Sequence, residues 1–370
     1  MNHLFLFLSF AFSFAVSACM IPRIILISFK KKLFDTVDER KVHTGVVPRL
    51  GGVAFAPALI ISFALLMGLA TLTGLYAPGM THVATTHLTL GLCALLLLYL
   101  EGITDDLIGV GYRVKFLVQF ACAALVVGSG VWLNDLCGLF GVHALPWYAG
   151  MPLSVVVIVY VINAVNLIDG IDGLASGLSM VALFFLGSLF TGRGHFVSAA
   201  VAFAMLGALV PFYYYNVFGR AERHSKIFMG DCGSQVVGLV LGMLAVLFCR
   251  YSEETPAASF AAAPVVAFSL LMIPCLDVIR VMFGRLRRGR NPFLPDKTHI
   301  HHKFLALGMS HRTAMLTILM LDAFFALLNL SLMNRLDINL LLGLDILLWT
   351  LMHLWISRLI RRREAMAAKA

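Results

Sequence analysis

The chain has 370 residues, of which 60% are hydrophobic and 13% are charged. Soluble domains are roughly 45–50% apolar and about 25% charged, so this composition indicates a membrane protein. It excludes a disordered or collagen-like chain, and seven cysteines in 370 residues are too few for a disulfide-stapled secreted domain.

Eleven apolar runs follow one another along the chain, each close to the about 20 residues that a bilayer crossing needs. They predict transmembrane helices over residues 4–29, 51–76, 83–103, 114–133, 151–167, 174–191, 195–217, 233–250, 259–283, 312–332 and 338–358. No repeat of about 20–50 residues and no low-complexity linker divides them. The sequence therefore predicts an all-α polytopic membrane protein with one integral-membrane domain over residues 1–370.

The net charge of +9 is distributed unequally between the two sides of this topology. Arg193, Arg250 and Arg335 fall on one side, and the other Lys and Arg residues fall on the opposite side. Because basic loops remain in the cytoplasm, we expect the N-terminus outside and the C-terminus inside the cell. The first apolar run is interpreted as a helix and not as a secretory signal, since no Lys or Arg precedes it.

The connection between the third and fourth helices carries two adjacent carboxylates, Asp105 and Asp106, followed by Lys115. Acidic residues at membrane depth are costly to insert and are usually functional. A solvated surface turn is the alternative. We expect the pair to belong to a functional site on the basic side of the membrane.

After the fifth helix, Asn163, Asn166, Asp169 and Asp172 are interleaved with glycines that permit tight turns. Their amide and carboxylate oxygens suit a hard cation. Mg²⁺ fits better than Ca²⁺, because the pattern lacks the glutamate at the twelfth position of an EF-hand. An Asx-rich turn that caps the sixth helix, with Asp172 near the N-cap, is the alternative.

Glycines flank Asp231 directly before the eighth helix, in the segment Phe228-Met-Gly-Asp231-Cys-Gly-Ser. A carboxylate and free backbone amides at a helix N-terminus are typical of a phosphate site. A simple N-cap is the alternative for Asp231. Phe228 fits a stacking surface and a lipid-facing anchor equally well.

Three histidines, His299, His301 and His302, lie in the longest connection of the basic side. A zinc site is not favoured, because neither a nearby Cys nor a His-Glu-x-x-His pattern supplies the remaining ligands. Arg285 to Arg290 and Lys303 are close in sequence. Imidazoles beside these cations suit the binding of an anion.

Five motifs follow one another along the chain: Lys41-x-His43-x-Gly45-x-x-Pro48-x-x-Gly51-Gly52, Asp105-Asp106 with Lys115, Asn163-x-x-Asn166-x-x-Asp169-Gly-x-Asp172-Gly, Phe228-x-Gly-Asp231-x-Gly-Ser, and His299-Ile-His-His. Together and in this order they resemble the polyprenyl-phosphate N-acetylhexosamine-1-phosphate transferases of glycosyltransferase family 4, and in particular their WecA-like branch. The resemblance covers about residues 30–312.

The resemblance implies a reaction and a location. An N-acetylhexosamine 1-phosphate, with N-acetylglucosamine as the usual sugar, passes from a UDP-sugar to undecaprenyl phosphate, which releases UMP and starts a lipid-linked cell-envelope glycan. The enzyme is expected to be a multi-pass protein of the bacterial inner membrane, in contact with membrane lipid, with its site on the cytoplasmic face. Nucleic acid is not an expected partner. The sugar epimer, direct or covalent attack, and a monomer or homodimer stay open.

The resemblance also implies roles for individual residues. Asn166 and Asp231 are expected to hold Mg²⁺, with Mn²⁺ as an alternative ion. The expected catalytic residues are Asp105, Asp106, Lys115, His299, His301 and His302. The expected substrate-binding residues are Lys41, His43, Asn163, Asp169, Asp172 and Phe228.

Two alternatives to this function remain. A phospho-N-acetylmuramoyl-pentapeptide transferase is less favoured, because relatives with that donor carry three consecutive histidines and Ile300 interrupts the run here. An ion-coupled transporter would use the intramembrane acids as an ion relay and would have paired inverted repeats, which this sequence lacks. No role is predicted for Asp322 and Asp345.

The charge distribution makes the orientation testable. A reporter that is active only outside the cytoplasm should work when fused after Tyr148 and should fail when fused after Arg290, because basic loops are retained inside. Enzymatic activity of the two fusions in intact cells measures this. The opposite result at either junction would separate the motifs from the cytoplasmic nucleotide pool.

Overall fold

A computed structural model describes residues 2–33, 46–73, 82–254, 262–289, 291 and 298–367. These residues form thirteen α-helices, two 3₁₀ turns and one short hairpin. The helices are α1 (Asn2–Lys31), α2 (Phe55–Leu72), α3 (His82–Ile108), α4 (Tyr112–Gly128), α5 (Trp147–Ile168), α6 (Leu174–Gly192), α7 (Phe196–Val217), α8 (Gly230–Glu254), α9 (Ala263–Ser269), α10 (Met272–Arg287), α11 (Ile300–Ala306), α12 (His311–Leu332) and α13 (Ile338–Ala367). The 3₁₀ turns cover Gly51–Ala54 and Ala221–Arg223.

The predicted all-α polytopic membrane fold is confirmed. Within the described residues, nine helices are long and apolar enough to cross a membrane, and the count is ten when the bent pair α9 and α10 is taken as one span. The fourth predicted crossing corresponds to α4, which has 17 residues. At about 1.5 Å of rise per residue it is slightly shorter than the roughly 30 Å hydrocarbon core.

The ninth predicted crossing is not one continuous helix. α9 ends at Ser269 and α10 begins at Met272, and the two are bent by 78°. Pro274 lies in the first turn of α10. Proline has no N–H to donate to the carbonyl of residue 270, which is compatible with the break, although Pro22 and Pro211 lie inside continuous helices of the same structure.

α8 is the central helix of the bundle. In its most apolar stretch 94% of the residues are buried, compared with 28% in α1 and in α13. α3, α5 and α6 pack against it, and α7 connects this centre to α1. The bundle also buries Cys232 and Ser234 in the first turns of α8, while the Asp231 side chain stays 38% exposed.

A two-stranded antiparallel hairpin, β1 (Asp135–Leu139) and β2 (Val142–Ala144), precedes α5. Its turn is fixed to the start of α13, because the Asn339 side-chain oxygen accepts from the Phe140 N–H at 2.7 Å and its amide donates to the Gly138 carbonyl at 3.1 Å. The sequence analysis did not predict this hairpin.

The motif residues lie at one end of the bundle. α3, α5 and α7 end there, and α4, α6 and α8 begin there, because short connections place consecutive helices antiparallel. The hairpin lies at the opposite end. The fold therefore gathers residues from six helix ends into one region.

Candidate active site

The start of α8 is held by a short backbone ladder to residues 48–52. The Phe228 N–H donates to the Pro48 carbonyl at 2.8 Å, and the Gly51 N–H donates to the Phe228 carbonyl at 2.9 Å. A Cβ at Gly52 would overlap the backbone of Gly233. The glycine pair in the first motif is therefore required for close packing against α8, which sequence reasoning missed. Lys41 and His43, in the same motif, lie outside the described residues.

Asp106, at the end of α3, caps α8. Its two carboxylate oxygens accept from the backbone N–H groups of Asp231 at 2.8 Å and of Cys232 at 3.1 Å. These N–H groups have no partner inside their own helix, and a negative charge is favourable at a helix N-terminus. The structure thus gives Asp106 a positioning role, and it frees the Asp231 side chain from being the cap.

Asp231 faces three of the other predicted residues. The Lys115 ammonium lies 2.6 Å from one of its carboxylate oxygens and also contacts the Asp105 carboxylate. The Asn166 amide donates to the other oxygen at 2.9 Å and to the Ser234 hydroxyl at 2.8 Å. One ammonium is thus shared by two carboxylates, an arrangement that can attract a cation.

The donor set of this cluster is compatible with Mg²⁺. No group of three or more His, Cys, Asp and Glu side chains in the described part of the chain could enclose a metal by itself. Mg²⁺ does not need such a group, because it is usually held by one or two carboxylates and completes its shell with water and substrate phosphate. Asp231 and Asp105 offer carboxylate oxygens, and the Asn166 amide offers an oxygen when it rotates.

Asn163 lies one helical turn deeper and is part of a chain of side-chain hydrogen bonds. Its amide donates to the Gln119 oxygen at 2.7 Å, and the Gln119 amide donates to the Gln235 oxygen at 2.9 Å. The Gln235 amide then donates to Glu101 at 3.1 Å. The chain connects α5, α4, α8 and α3, so the Asn163 amide stabilises the helix packing below the cluster. Polar residues inside apolar runs were the available sequence signal.

Asp172 does not cap α6. The N-cap is Gly173, which has no side-chain cap, and the Asp172 carboxylate pairs with Lys226 at 2.5 Å. The Lys226 ammonium lies 5.7 Å from the centre of the half-buried Phe228 ring. Asp169 is the exposed C-cap of α5 in the same loop. Lys226, which the sequence analysis did not select, thus connects the predicted substrate residues.

Asn216, near the end of α7, ties the two loops together. Its side-chain oxygen accepts from the Gly173 N–H at 2.6 Å, and its amide donates to the Ile227 carbonyl at 2.9 Å. Asn216 is buried. Both hydrogen bonds are therefore shielded from water, and they fix the loop that follows α5 beside the segment before α8.

The histidine motif packs onto the loop that follows α5. His301 is 2% exposed, and a Cβ at Gly170 would overlap its ring. Burial, followed by the neighbouring His302 and His299, lowers the pKa of His301 to about 3, so this ring is neutral at pH 7. The rings of His301 and His302 lie 4.2 Å apart. His301 is therefore a neutral, buried ring beside the site and not a cation that binds an anion.

The contact between Gly170 and His301 predicts the effect of one added methyl group. Gly170→Ala should lower kcat/KM by about tenfold to 100-fold, because displacement of a site residue by about 1 Å is costly. Gly68→Ala, in α2, is the control, since a Cβ there meets no atom. Steady-state kinetics of purified proteins measures both, and equal activity of the two variants would contradict the prediction.

Known proteins are similar to this chain over most of its length. The family model described as glycosyl transferase family 4 matches residues 88–249. An undecaprenyl-phosphate alpha-N-acetylglucosaminyl 1-phosphate transferase of Salmonella typhi is 31% identical over 306 residues, 81% of this chain and 76% of the relative. A relative of the same name from Yersinia pestis is 30% identical over 87% of this chain and 82% of its own.

A third relative comes from Bacillus subtilis. The probable undecaprenyl-phosphate N-acetylglucosaminyl 1-phosphate transferase of Bacillus subtilis is 30% identical over 309 residues, 83% of this chain and 79% of its own length. The matches cover most of the helical bundle and confirm the family that the motifs predicted. The chain belongs to glycosyl transferase family 4.

Proposed function

We propose that the protein transfers N-acetylglucosamine 1-phosphate from UDP-N-acetylglucosamine to undecaprenyl phosphate and releases UMP. The observation that carries this proposal is the convergence of Asp105, Lys115, Asn166 and Asp231 at the N-terminus of α8. The names of the relatives supply the acceptor and the sugar. A reaction between a lipid and a nucleotide sugar needs such a site at the end of a membrane bundle.

The chemistry requires an acceptor phosphate to attack the β-phosphorus of the donor. A phosphate monoester has a second pKa near 6, so most of it is already dianionic at pH 7 and little general base catalysis is needed. Catalysis then depends mainly on positioning the reactants and compensating their charge, as in other phosphoryl transfers. Lys115 is suited to neutralise a phosphate oxygen, and Asp105 holds the ammonium in place. We favour direct attack over an aspartyl intermediate.

Mg²⁺ is the proposed cofactor, with Mn²⁺ as a substitute. Asp231 would hold the ion, assisted by the Asn166 amide oxygen. A bound Mg²⁺ neutralises the diphosphate oxygens and stabilises the departing UMP. The first N–H groups of α8 are already bonded to Asp106, so Lys115 would supply the remaining charge compensation.

The nucleoside is proposed to lie near Asp169, Asp172 and Phe228. The half-buried Phe228 ring offers a stacking surface for uracil, worth about 0.5–1.5 kcal/mol by analogy with aromatic pairs. The Asp172–Lys226 ion pair fixes the edge of this surface. The loop hydrogen bonds of Asn216 keep these groups at a constant separation.

The site is proposed to face the cytoplasm of a bacterial inner membrane. The support is the excess of Lys and Arg in the connections at the same end as the motifs, which the positive-inside rule places in the cytoplasm. Nucleotide sugars are cytoplasmic, so the donor would have direct access. The lipid acceptor would approach from the surrounding membrane.

One assay tests this function. Purified protein, undecaprenyl phosphate, Mg²⁺ and radiolabelled UDP-N-acetylglucosamine should yield labelled lipid and an equal amount of UMP. Asp231→Asn should lower kcat at least 100-fold, equivalent to about 2.7 kcal/mol of barrier, because the carboxylate that faces Lys115 and Asn166 is lost. Asp345→Asn is the matched control, since Asp345 is fully buried in α13 and hydrogen-bonds Asn329.

If folded wild-type protein transfers no labelled sugar phosphate to undecaprenyl phosphate, the proposal is wrong. UDP-N-acetylmuramoyl-pentapeptide in the same assay should react at least tenfold less efficiently in kcat/KM. A reversed preference would assign the chain to the pentapeptide donor. Ion-dependent uptake into proteoliposomes without sugar transfer would support the transporter.

A separate experiment tests the metal. Asn166→Ala should raise the Mg²⁺ concentration for half-maximal activity by about tenfold and should recover activity at high Mg²⁺, because one ligand is lost while the carboxylate remains. Mg²⁺ titrations of the two proteins measure the shift. An unchanged titration curve would remove Asn166 from the metal site.

A further inference from the structure

A fully buried carboxylate in α10 holds the first histidine of the His299–His302 motif. Asp277 is 0% exposed. One of its oxygens lies 2.9 Å from the Nδ1 of His299. A buried carboxylate is costly unless donors surround it, so this contact is more than an incidental approach.

Asp277 also fixes the start of α11. The Ile300 N–H donates to its two oxygens at 3.0 and 3.2 Å. His299, the N-cap of α11, has no side-chain cap of its own. A free N–H at the first turn of a helix needs an acceptor, and here a carboxylate from another helix supplies it.

Arg280 completes the environment of Asp277. Its guanidinium donates to one Asp277 oxygen at 2.6 and 3.2 Å, and it also donates to the Thr298 carbonyl at 2.5 Å. The charge of the buried carboxylate is therefore compensated. The same guanidinium binds the backbone directly before His299. Two residues of α10, Asp277 and Arg280, therefore hold the start of the histidine motif.

The histidine that Asp277 holds lies against the next one. The rings of His299 and His301 are nearly parallel, at 4° with centres 5.9 Å apart. The His301 ring in turn fills the space beside Gly170. A shift of His299 would therefore move His301 relative to the loop that carries Asp169 and Asp172.

We propose that Asp277 is a positioning residue of the transferase, which holds His299 and the start of α11 so that His301 stays packed on Gly170. This role rests on the proposed function, but the contact itself is independent of substrate. Asp277 does not touch the reacting groups in this arrangement. It acts through His299.

Asp322 shows that burial alone does not create this role. It is also 0% exposed, on the neighbouring α12, but neither of its oxygens has a hydrogen-bond partner. The two carboxylates thus match in burial and differ in what they bind. Asp322→Asn is consequently the matched control for Asp277→Asn.

The first experiment needs no turnover. Diethyl pyrocarbonate modifies accessible imidazoles, and mass spectrometry of the full-length protein in detergent gives the rate at His301. Asp277→Asn should raise this rate at least fivefold, and Asp322→Asn should leave it within twofold of wild type. A wild-type rate in folded Asp277→Asn protein, or an equal rise in both variants, would overturn the proposal.

A double-mutant cycle shows whether Asp277 acts through His299. His299→Phe keeps an aromatic ring beside His301 but removes the Nδ1 contact, so it should also raise the labelling rate of His301. Adding Asp277→Asn to His299→Phe should then change the rate less than twofold, since coupled residues are not additive. If the double variant instead raised the labelling rate of His301 by the product of the two single effects, Asp277 would act independently of His299, which would contradict the proposal.

If Asp277→Asn does not fold, His299→Phe alone tests the same contact, and unchanged labelling would overturn the proposal. Transfer kinetics completes the test. Asp277→Asn should lower kcat/KM at least tenfold with a wild-type melting temperature, whereas Asp322→Asn should not. If wild-type protein transfers no sugar, the proposed function fails while the labelling results still decide the role of Asp277 in positioning.

Discussion

The half-buried N-terminus of α8 is the constraint on which the site depends. A helix that begins among packed helix ends needs acceptors for its first N–H groups, and here the protein supplies them. Asp106 supplies these acceptors from α3. Backbone hydrogen bonds to residues 48–52 hold the segment directly before α8. Because the cap comes from another helix, the Asp231 carboxylate is free to face Lys115 and Asn166.

A second helix, α11, is also capped by a carboxylate from another helix. Asp277 of α10 caps α11 and orients His299, as Asp106 of α3 caps α8 and leaves Asp231 exposed to its partners. In both cases a carboxylate of one helix satisfies the backbone of the next, and the capped helix carries a predicted reactive side chain. Pairing of this kind explains how Asp106 and Asp277 are accommodated in a chain with so few charges, whereas Asp322 has no such partner.

The sequence was sufficient for the fold class and for the residues of the Asp231 cluster, because apolar length and motif order are local properties. It was not sufficient for contacts between helices. Pro274 alone does not predict the break between α9 and α10, since Pro22 and Pro211 lie inside continuous helices. The contacts of Asp277 with His299 and Ile300, and those of Asn216 with Gly173 and Ile227, could not be predicted, since these partners lie more than 10 residues away in the chain. Asn163 was selected as a substrate residue because its spacing matched the motif, but its amide donates into the bundle.

The central claim is that the N-terminus of α8 binds the nucleotide diphosphate through a metal on Asp231. A cryo-electron microscopy structure of the protein with Mn²⁺ and UDP-N-acetylglucosamine tests it most directly. The account predicts a metal coordinated by Asp231, the diphosphate between it and Lys115, and uracil on Phe228. Nucleotide bound at the opposite end of the bundle, or a diphosphate remote from Asp231, would contradict it.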